Sequence, residues 1–217
     1  MCLAFAICAL ISLSGCRKHD FPVYAKNYRE FAYVTNSGSN TVTALDVVNL
    51  RQDRVIAVGR RPVGIAANPA RNEVYAVNAG SNSVSVIDTM RNEVVATIGV
   101  DRTPYSIDVA PDGRMAYVAN SGANDVSVID LDRRRVAATI GVGEGPGVAR
   151  IAPDNRALVV SNEKSGSVSV VAEQTSGTVR VSGTLAMVNT GNEVCGPATY
   201  NSICINPVTH FMELCRP

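Results

Sequence analysis

The sequence repeats itself every 42 residues, and this repeat constrains the fold more than any other feature. Similar segments begin at Tyr33, Tyr75, Tyr117 and Val159. They read YVTNSGSNTVTALD, YAVNAGSNSVSVID, YVANSGANDVSVID and VVSNEKSGSVSVVA. Self-similarity at a period of about 40–45 residues is typical of arrays in which each repeat is one supersecondary unit packed on its neighbours.

Each repeat contains short apolar segments separated by turn residues. In the second unit we predict strands at 64–67, 73–77, 83–88 and 94–98, all rich in Val, Ile, Tyr or Thr. Pro, Asn, Gly and Asp mark the turns between them. No stretch after residue 16 has the 3.6-residue period of a helix. The predicted fold class is all-β, a β-propeller of four-stranded antiparallel blades, with about four blades present in an incomplete ring.

The units resemble the YVTN family of β-propeller repeats, which is related to WD40-like repeats and occurs in surface-layer proteins and many secreted bacterial proteins. The eponymous motif is present as Tyr33-Val34-Thr35-Asn36, and the resemblance covers residues 31–171. It implies the propeller scaffold. It implies no single activity, because members of the family share a scaffold rather than one function.

Most residues that share the period have structural interpretations. We expect the tyrosines to pack between adjacent blades, with Val159 in the fourth place. The asparagines end the second strand and are expected to bond back to the turn backbone. The glycines are expected to take a positive φ, and the aspartates to cap the turn after the third strand. One aspartate per blade is too dispersed for a calcium site. The positions are Tyr33, Tyr75 and Tyr117; Asn36, Asn78, Asn120 and Asn162; Gly38, Gly80 and Gly122; and Asp46, Asp88 and Asp130.

The N-terminal segment resembles a bacterial lipoprotein signal. Residues 1–15 are uncharged and apolar, too short to cross a bilayer as a helix, and suited to the core of a signal peptide. Leu13-Ser14-Gly15-Cys16 matches the lipobox, which implies that Cys16 is lipidated and becomes the mature N-terminus. Residues 16–30 would be the lipidated Cys and a polar tether. The alternative is an ordinary secretory signal with a chance Cys, since no Lys or Arg precedes the apolar run.

These features predict an exported protein that is lipid-anchored in the cell envelope, on the periplasmic or cell-surface side. Arg17 follows the lipobox Cys where an Asp would favour retention in the inner membrane, so the sequence leans towards the outer membrane. The membrane, through this anchor, is the first predicted partner.

The repeats do not account for the whole chain. We assign residues 31–184 to the repeats and residues 185–217 to an atypical tail, which contains Cys195, Cys204 and Cys215. A ring of about seven blades needs roughly 300 residues at this period, whereas residues 31–217 number 187. Three explanations stay open: a longer propeller cut by a frameshift or premature stop, a native four-bladed or open ring, or self-association of half-rings across subunits.

Few residues are candidates for chemistry. The loops before the first strands carry Arg60, Arg61, Arg102 and Glu144, and on a propeller these loops gather on one face. The three arginines would form either an anion-attracting patch or simply a solvated rim. Asp108 lies in a first strand, where we align Ala66 of the second unit and Ala149 of the fourth. Because first strands line the central channel, its carboxylate is expected to project there and contact a ligand or water.

Composition excludes several classes of protein. The 217 residues are 46% hydrophobic and 18% charged, which suits a packed core. A net charge of +1 argues against a dedicated nucleic-acid binder. Six Cys and two His show no haem or zinc spacing. We therefore predict no catalytic residue, no metal and no cofactor.

The sequence favours a non-catalytic, membrane-anchored scaffold that binds an unidentified protein, glycan or small molecule. A first alternative is a propeller enzyme of the lactonase or dehydrogenase-subunit type, since related propellers include such enzymes. A second is nucleic-acid binding through the arginine-bearing loops.

Replacing Cys16 with Ala should abolish incorporation of radiolabelled palmitate, because the thiol is the nucleophile that takes the lipid. Cys8→Ala is the matched control, since Cys8 lies inside the signal, and it should leave the label in place. Label retained in Cys16→Ala would contradict the anchor.

Overall fold

The computed structural model describes residues 28–173, 179–186, 203–205 and 212–214, with side chains described up to residue 172. These residues form seventeen strands and no helix. The predictions for the signal, Cys16, and tail residues Cys195 and Cys215 lie outside them. Cys204 lies in a described strand, but its side chain does not belong to the described part.

The strands follow one another along the chain with short turns between them. They are β1 (Phe31–Asn36), β2 (Thr41–Asp46), β3 (Arg51–Ala57), β4 (Pro62–Ala67), β5 (Glu73–Asn78), β6 (Ser83–Asp88), β7 (Glu93–Gly99), β8 (Pro104–Val109), β9 (Met115–Asn120), β10 (Asp125–Asp130), β11 (Arg135–Gly141), β12 (Pro146–Ile151), β13 (Ala157–Asn162), β14 (Ser167–Glu173), β15 (Val179–Ala186), β16 (Ile203–Ile205) and β17 (Met212–Leu214).

The strands form antiparallel sheets of neighbouring strands. Blade 1 has three strands, β1 to β3, and blades 2, 3 and 4 have four each: β4–β7, β8–β11 and β12–β15. Strands β16 and β17 form a separate pair. The predicted all-β, incomplete propeller of about four blades is confirmed. In blade 2 the predicted strands agree with the observed ones to within one or two residues.

The blades stack side by side through their first strands. Strand β4 contacts β8, β8 contacts β12, and β1 lies against β4 because blade 1 begins at its second strand. The hydrophobic core lies between blades rather than inside one. Each of three buried clusters combines residues of two successive blades. In one of them Tyr75 and Val77 of blade 2 meet Ile107 and Val118 of blade 3.

The periodic asparagines connect two strands of the same blade. Asn78 is fully buried, and its Nδ2 donates hydrogen bonds to Ser83 Oγ at 3.2 Å and Ser85 Oγ at 3.0 Å. The other three repeat this pattern five and seven residues ahead. The predicted bond to the turn backbone was wrong, because antiparallel pairing brings residue 83 directly opposite Asn78.

The turn after each asparagine also differs from the prediction. Asn40, Asn82 and Asn124 take the positive φ, at 59°, 50° and 61°, whereas Gly80 does not. Asn is the non-glycine residue that enters this region most readily. Gly80 is needed for a different reason, since a Cβ there would lie 3.1 Å from the carbonyl oxygen of Arg60.

The predicted aspartate caps are confirmed. Asp88 Oδ1 accepts hydrogen bonds from the backbone N–H of Met90 at 2.8 Å and of Arg91 at 3.0 Å. Asp46 and Asp130 cap their turns in the same way. Burial raises the pKa of Asp88, but the hydrogen bonds and Arg91 outweigh it and hold the pKa below its usual range.

Replacing Asn78 with Ala should lower the free energy of unfolding by about 1–3 kcal/mol, because two buried hydroxyls lose a donor. Asn36→Ala is the matched control. Its side chain has the same bonding pattern but is only half-buried, so its loss should be smaller. Urea unfolding of the two variants measures the difference, and equal losses would contradict the role of burial.

Candidate functional site

One end of the blades carries both the loops that enter the first strands and the turns that follow the second strands. We call this surface the entry-loop face and define it by loops 58–61, 100–103 and 142–145 and turns 37–40, 79–82, 121–124 and 163–166. Backbone hydrogen bonds hold each loop to the turn of its own blade. Gly80 N–H donates to the Arg60 carbonyl, and Ala79 N–H to the Arg61 carbonyl, both at 2.9 Å.

Each entry loop is also held by the preceding blade. The Oδ1 atoms of Asn40, Asn82 and Asn124 accept hydrogen bonds from backbone N–H groups 21 residues ahead, at 2.9 to 3.0 Å. The loop backbone is thus bonded on two sides. The backbone from which the side chains of this face project is therefore held in place.

Four of the five predicted ligand residues, Arg60, Arg61, Arg102 and Glu144, lie on this face and are exposed. The loops are held by hydrogen bonds to the backbone atoms of Arg60, Arg61 and Arg102. Within residues 28–172, none of the ion pairs includes one of these three guanidinium groups. Glu144 is also exposed here, and its backbone N–H donates to Ser165 Oγ at 3.2 Å. The fold therefore brings these three cationic side chains to one surface, which also carries Lys164.

The same face carries an acidic pair, Asp101 and Asp125, which the sequence analysis does not identify. Asp125 occupies the place of Ser83 in blade 2 and accepts a hydrogen bond from Asn120 Nδ2 at 2.7 Å. Burial and the adjacent Asp101 carboxyl raise the pKa of Asp125, against the lowering effect of Asn120. The sequence does contain a signal for this pair. At the positions of Asp101 and Asp125 the second unit has Gly59 and Ser83, and the fourth unit also has Gly and Ser.

Asp108 bonds to the neighbouring blade. Its Oδ1 accepts a hydrogen bond from Arg150 Nη1 at 3.1 Å, and its Oδ2 accepts one from the Ile151 backbone N–H at 2.9 Å. Two residues earlier on β8, Ser106 Oγ donates to the Gly147 carbonyl at 2.7 Å and accepts from the Ala149 N–H at 3.2 Å. Both side chains therefore join blade 3 to blade 4.

The alignment of Asp108 with Ala149 was wrong by one residue. Asp108 pairs with Tyr117 across the sheet, and the residue in the same register of blade 4 is Arg150, opposite Val159. A strict count of 42 residues also leads from Asp108 to Arg150. The count would have revealed two opposite charges at equivalent positions of adjacent first strands.

The periodic tyrosines lie at the interfaces between blades. Tyr75 is 1% exposed, and Tyr33 and Tyr117 are half-buried. The Tyr33 hydroxyl donates to Asn92 Oδ1 of blade 2 at 2.5 Å, and Asn92 Nδ2 donates back to Asp53 of blade 1 at 2.8 Å. Burial, with Asp53 nearby, raises the pKa of Tyr33 to about 12.

The described residues contain no group of three or more His, Cys, Asp or Glu side chains arranged to hold a metal. Across the same residues, no apolar helix reaches the length needed to cross a membrane.

The model of one protein family matches residues 16–151 of this chain, and that family is described as YNCE-like beta-propeller. The chain belongs to the YNCE-like β-propeller family. No curated protein matches the sequence.

Two solved structures resemble this YNCE-like propeller. One is hydrazine synthase from Kuenenia stuttgartiensis, with 31% identity, a TM-score of 0.67, and coverage of 75% of this chain and 47% of that chain. The other is a functionally unknown protein from Desulfotomaculum acetoxidans DSM 771, with 19% identity, a TM-score of 0.59, and coverage of 66% and 48%. The second shows the fold alone. This chain spans about half the length of each.

A double-mutant cycle on Asp108→Ala and Arg150→Ala should give a coupling free energy of about 0.2–1 kcal/mol, because the Arg150 side chain is 58% exposed. The coupling should fall as NaCl is raised from low to high concentration. Asp108→Ala alone should cost more than Arg150→Ala, since it also removes the acceptor for the Ile151 N–H. The same cycle with exposed Asp112 in place of Asp108 should show no coupling. Coupling of equal size in both cycles would contradict the ion pair.

Proposed function

We propose that this YNCE-like propeller is a non-catalytic, membrane-anchored binding scaffold of the bacterial cell envelope. The anchor is the lipidated Cys16 indicated by the lipobox. The binding surface is the entry-loop face, and the observation that carries the proposal is the set of Arg60, Arg61 and Arg102 on that face. Their loops are held by hydrogen bonds from two blades. Their guanidinium groups are left out of the ion pairs of the described chain.

This arrangement suits recognition of an anionic partner. A guanidinium group offers a planar fork of donors that matches a carboxylate, sulfate or phosphate group with two hydrogen bonds. Loops that are already ordered lose little conformational entropy on binding, which favours affinity. The partner we infer is an envelope protein or glycan that presents anionic groups to this face.

The use of the other charged groups supports a scaffold rather than an enzyme. Asp88 and its equivalents hold turns, and Asp108 holds blade 4 to blade 3. Tyr33 and Asn92 bond to each other across a blade interface. The periodic polar residues therefore have structural roles, and these roles explain why the residues recur without any need for a catalytic role.

A propeller enzyme of the lactonase or dehydrogenase-subunit type is the second candidate. The 31% identity with hydrazine synthase favours keeping this candidate, although this chain spans only 47% of that one. Lactone hydrolysis that depends on an added metal and is lost in Asp108→Asn would support the enzyme and count against the scaffold. Nucleic-acid binding is the third candidate, and a steep fall of DNA affinity with salt would support it.

Site-specific photo-crosslinking in cells tests the scaffold proposal. A photoreactive residue in place of exposed Ser37 should give one discrete adduct in the envelope fraction. The variant with Arg60→Glu, Arg61→Glu and Arg102→Glu should lose the adduct, since its face is negatively charged. A control variant with Arg54→Glu, Arg114→Glu and Arg135→Glu makes the same charge change at exposed positions elsewhere and should keep it. An adduct that survives in the first variant, or disappears in both, would contradict the assignment of the face.

A further inference from the structure

An exposed group of apolar side chains lies at the end of the blades opposite the entry-loop face. Leu50, in the turn between β2 and β3, is 89% exposed, and Met90, in the turn between β6 and β7, is 69% exposed. These are the highest values for a large apolar side chain among residues 28–172. We define the apolar corner by four exposed residues, which are Tyr28, Val47, Leu50 and Met90. One strand length, about 20 Å, separates it from the entry-loop face.

Polar contacts hold the three segments of the apolar corner side by side. The Val47 backbone N–H donates to the Glu30 carbonyl at 3.0 Å, which places the N-terminal segment beside the blade 1 turn. The Asp53 carboxylate accepts a hydrogen bond from Asn92 Nδ2 of the blade 2 turn at 2.8 Å, and it also pairs with Arg29 Nη2 at 3.7 Å. The apolar side chains therefore project from one part of the surface.

Leu50 is an unexpected residue for its turn. Its φ is 50°, in the left-handed region that Gly and Asn enter readily and that is unfavourable for a bulky side chain. The equivalent residues of the next two blades are Asn92 and Arg134, which are polar and bond to the preceding blade. Met90 is likewise equivalent to Asp132 in blade 3. Apolar residues exposed where other blades have polar ones indicate a contact surface at this corner.

The two ends of the blades differ in polarity. In the part of the chain that the structure describes, none of the loops and turns of the entry-loop face exposes a large apolar side chain. At the apolar corner, moreover, the arginines are paired with carboxylates. Arg51 Nε lies 3.7 Å from Asp46 Oδ2, and Arg91 Nε lies 3.0 Å from Glu93 Oε1. Because paired charges cost less to remove from water than isolated ones, this end is the better suited to an apolar environment.

The N-terminal segment joins the described structure at this corner. Tyr28 is the first described residue, and residues 17–27, eleven in all, separate it from Cys16. A fully extended segment of that length spans about 40 Å at most. A lipid on Cys16 therefore keeps the apolar corner close to the bilayer. Because such a tether raises the effective concentration of the bilayer at the corner, a weak apolar contact is enough for docking.

We propose that the apolar corner docks on the lipid bilayer in which Cys16 is anchored, an inference that rests on the proposed function. The leucine, methionine and valine side chains enter the boundary between headgroups and acyl chains, and the tyrosine lies at the level of the headgroups. The entry-loop face, at the other end of the strands, then points away from the membrane and towards its partner. Since the arginines of the corner are already paired, docking depends little on anionic lipid or on salt.

Tryptophan fluorescence tests the docking, because the chain contains no Trp of its own. The lipoprotein is purified from membranes and reconstituted in phosphatidylcholine vesicles that contain lipids brominated along the acyl chain. Met90→Trp should emit at shorter wavelength and be quenched, most strongly by bromine atoms within about 5–10 Å of the headgroups. Ser37→Trp, at an exposed position of the entry-loop face, is the control and should not be quenched. Absence of quenching in Met90→Trp, or equal quenching of both variants, would overturn the proposal.

Leu50→Asn, introduced into the Met90→Trp protein, tests the most exposed residue of the corner. The variant should fold, because Asn92 has nearly the same φ, 53°, at the equivalent position. Quenching should fall about twofold, because the corner loses its largest exposed apolar surface. Val148→Asn removes an exposed apolar side chain from blade 4 and should leave quenching unchanged. Undiminished quenching in Leu50→Asn would refute the assignment of this surface.

The palmitate label on Cys16 separates failure of this inference from failure of the proposed function. Labelled Met90→Trp protein without quenching would keep the anchor and refute the docking. Protein without the label would refute the anchor, and the docking with it. A shorter emission wavelength of Met90→Trp without quenching would mean that protein rather than lipid covers the corner, which also refutes the docking.

Discussion

Each apolar core of this propeller lies between two blades, and the rest of the structure depends on that shared burial. A four-stranded sheet has two faces, and each face of blades 2 and 3 is covered by a neighbouring blade. Hydrophobic burial drives the stacking, but it is not directional. The relative position of the blades is set by polar contacts at their edges. These are the hydrogen bonds that the turn asparagines accept from the next entry loop, and the contacts that Ser106 and Asp108 of β8 make with β12.

The departures from the repeat carry the specific properties of this protein. Residues that recur every 42 positions build turns and interfaces, and they would do so in any blade. Blade 3 departs at Asp101, Asp108 and Asp125. Comparison of one blade with the next therefore separates structural positions from candidate functional ones within a single chain. The acidic pair and the Asp108 contact both emerge from that comparison.

Much of the fold could be predicted because strand, turn and period are local properties of the sequence. The strands of blade 2 and the aspartate caps follow from residue types a few positions apart. The role of Asn78 could not be predicted in the same way, since its partners depend on which residue lies opposite in the paired strand. The sequence predicts a positive φ for the turn glycines, because glycine favours that conformation. The structure gives that conformation to Asn82, and uses Gly80 for a close approach of backbone from the entry loop.

The candidate face was predictable in outline and not in detail. The period alone places Arg60, Arg61 and Arg102 in equivalent loops, and equivalent loops of stacked blades share one end. Whether a charged side chain can contact a partner depends on whether a neighbouring residue already pairs with it. In the folded chain Asp108 pairs with Arg150, whereas the three arginines stay exposed. By itself the sequence determined the repeat, the strands and the all-β propeller, because each follows from the pattern of residues within one unit. Only the tertiary structure decided the contacts between blades, because these depend on how side chains of different units fill the same space.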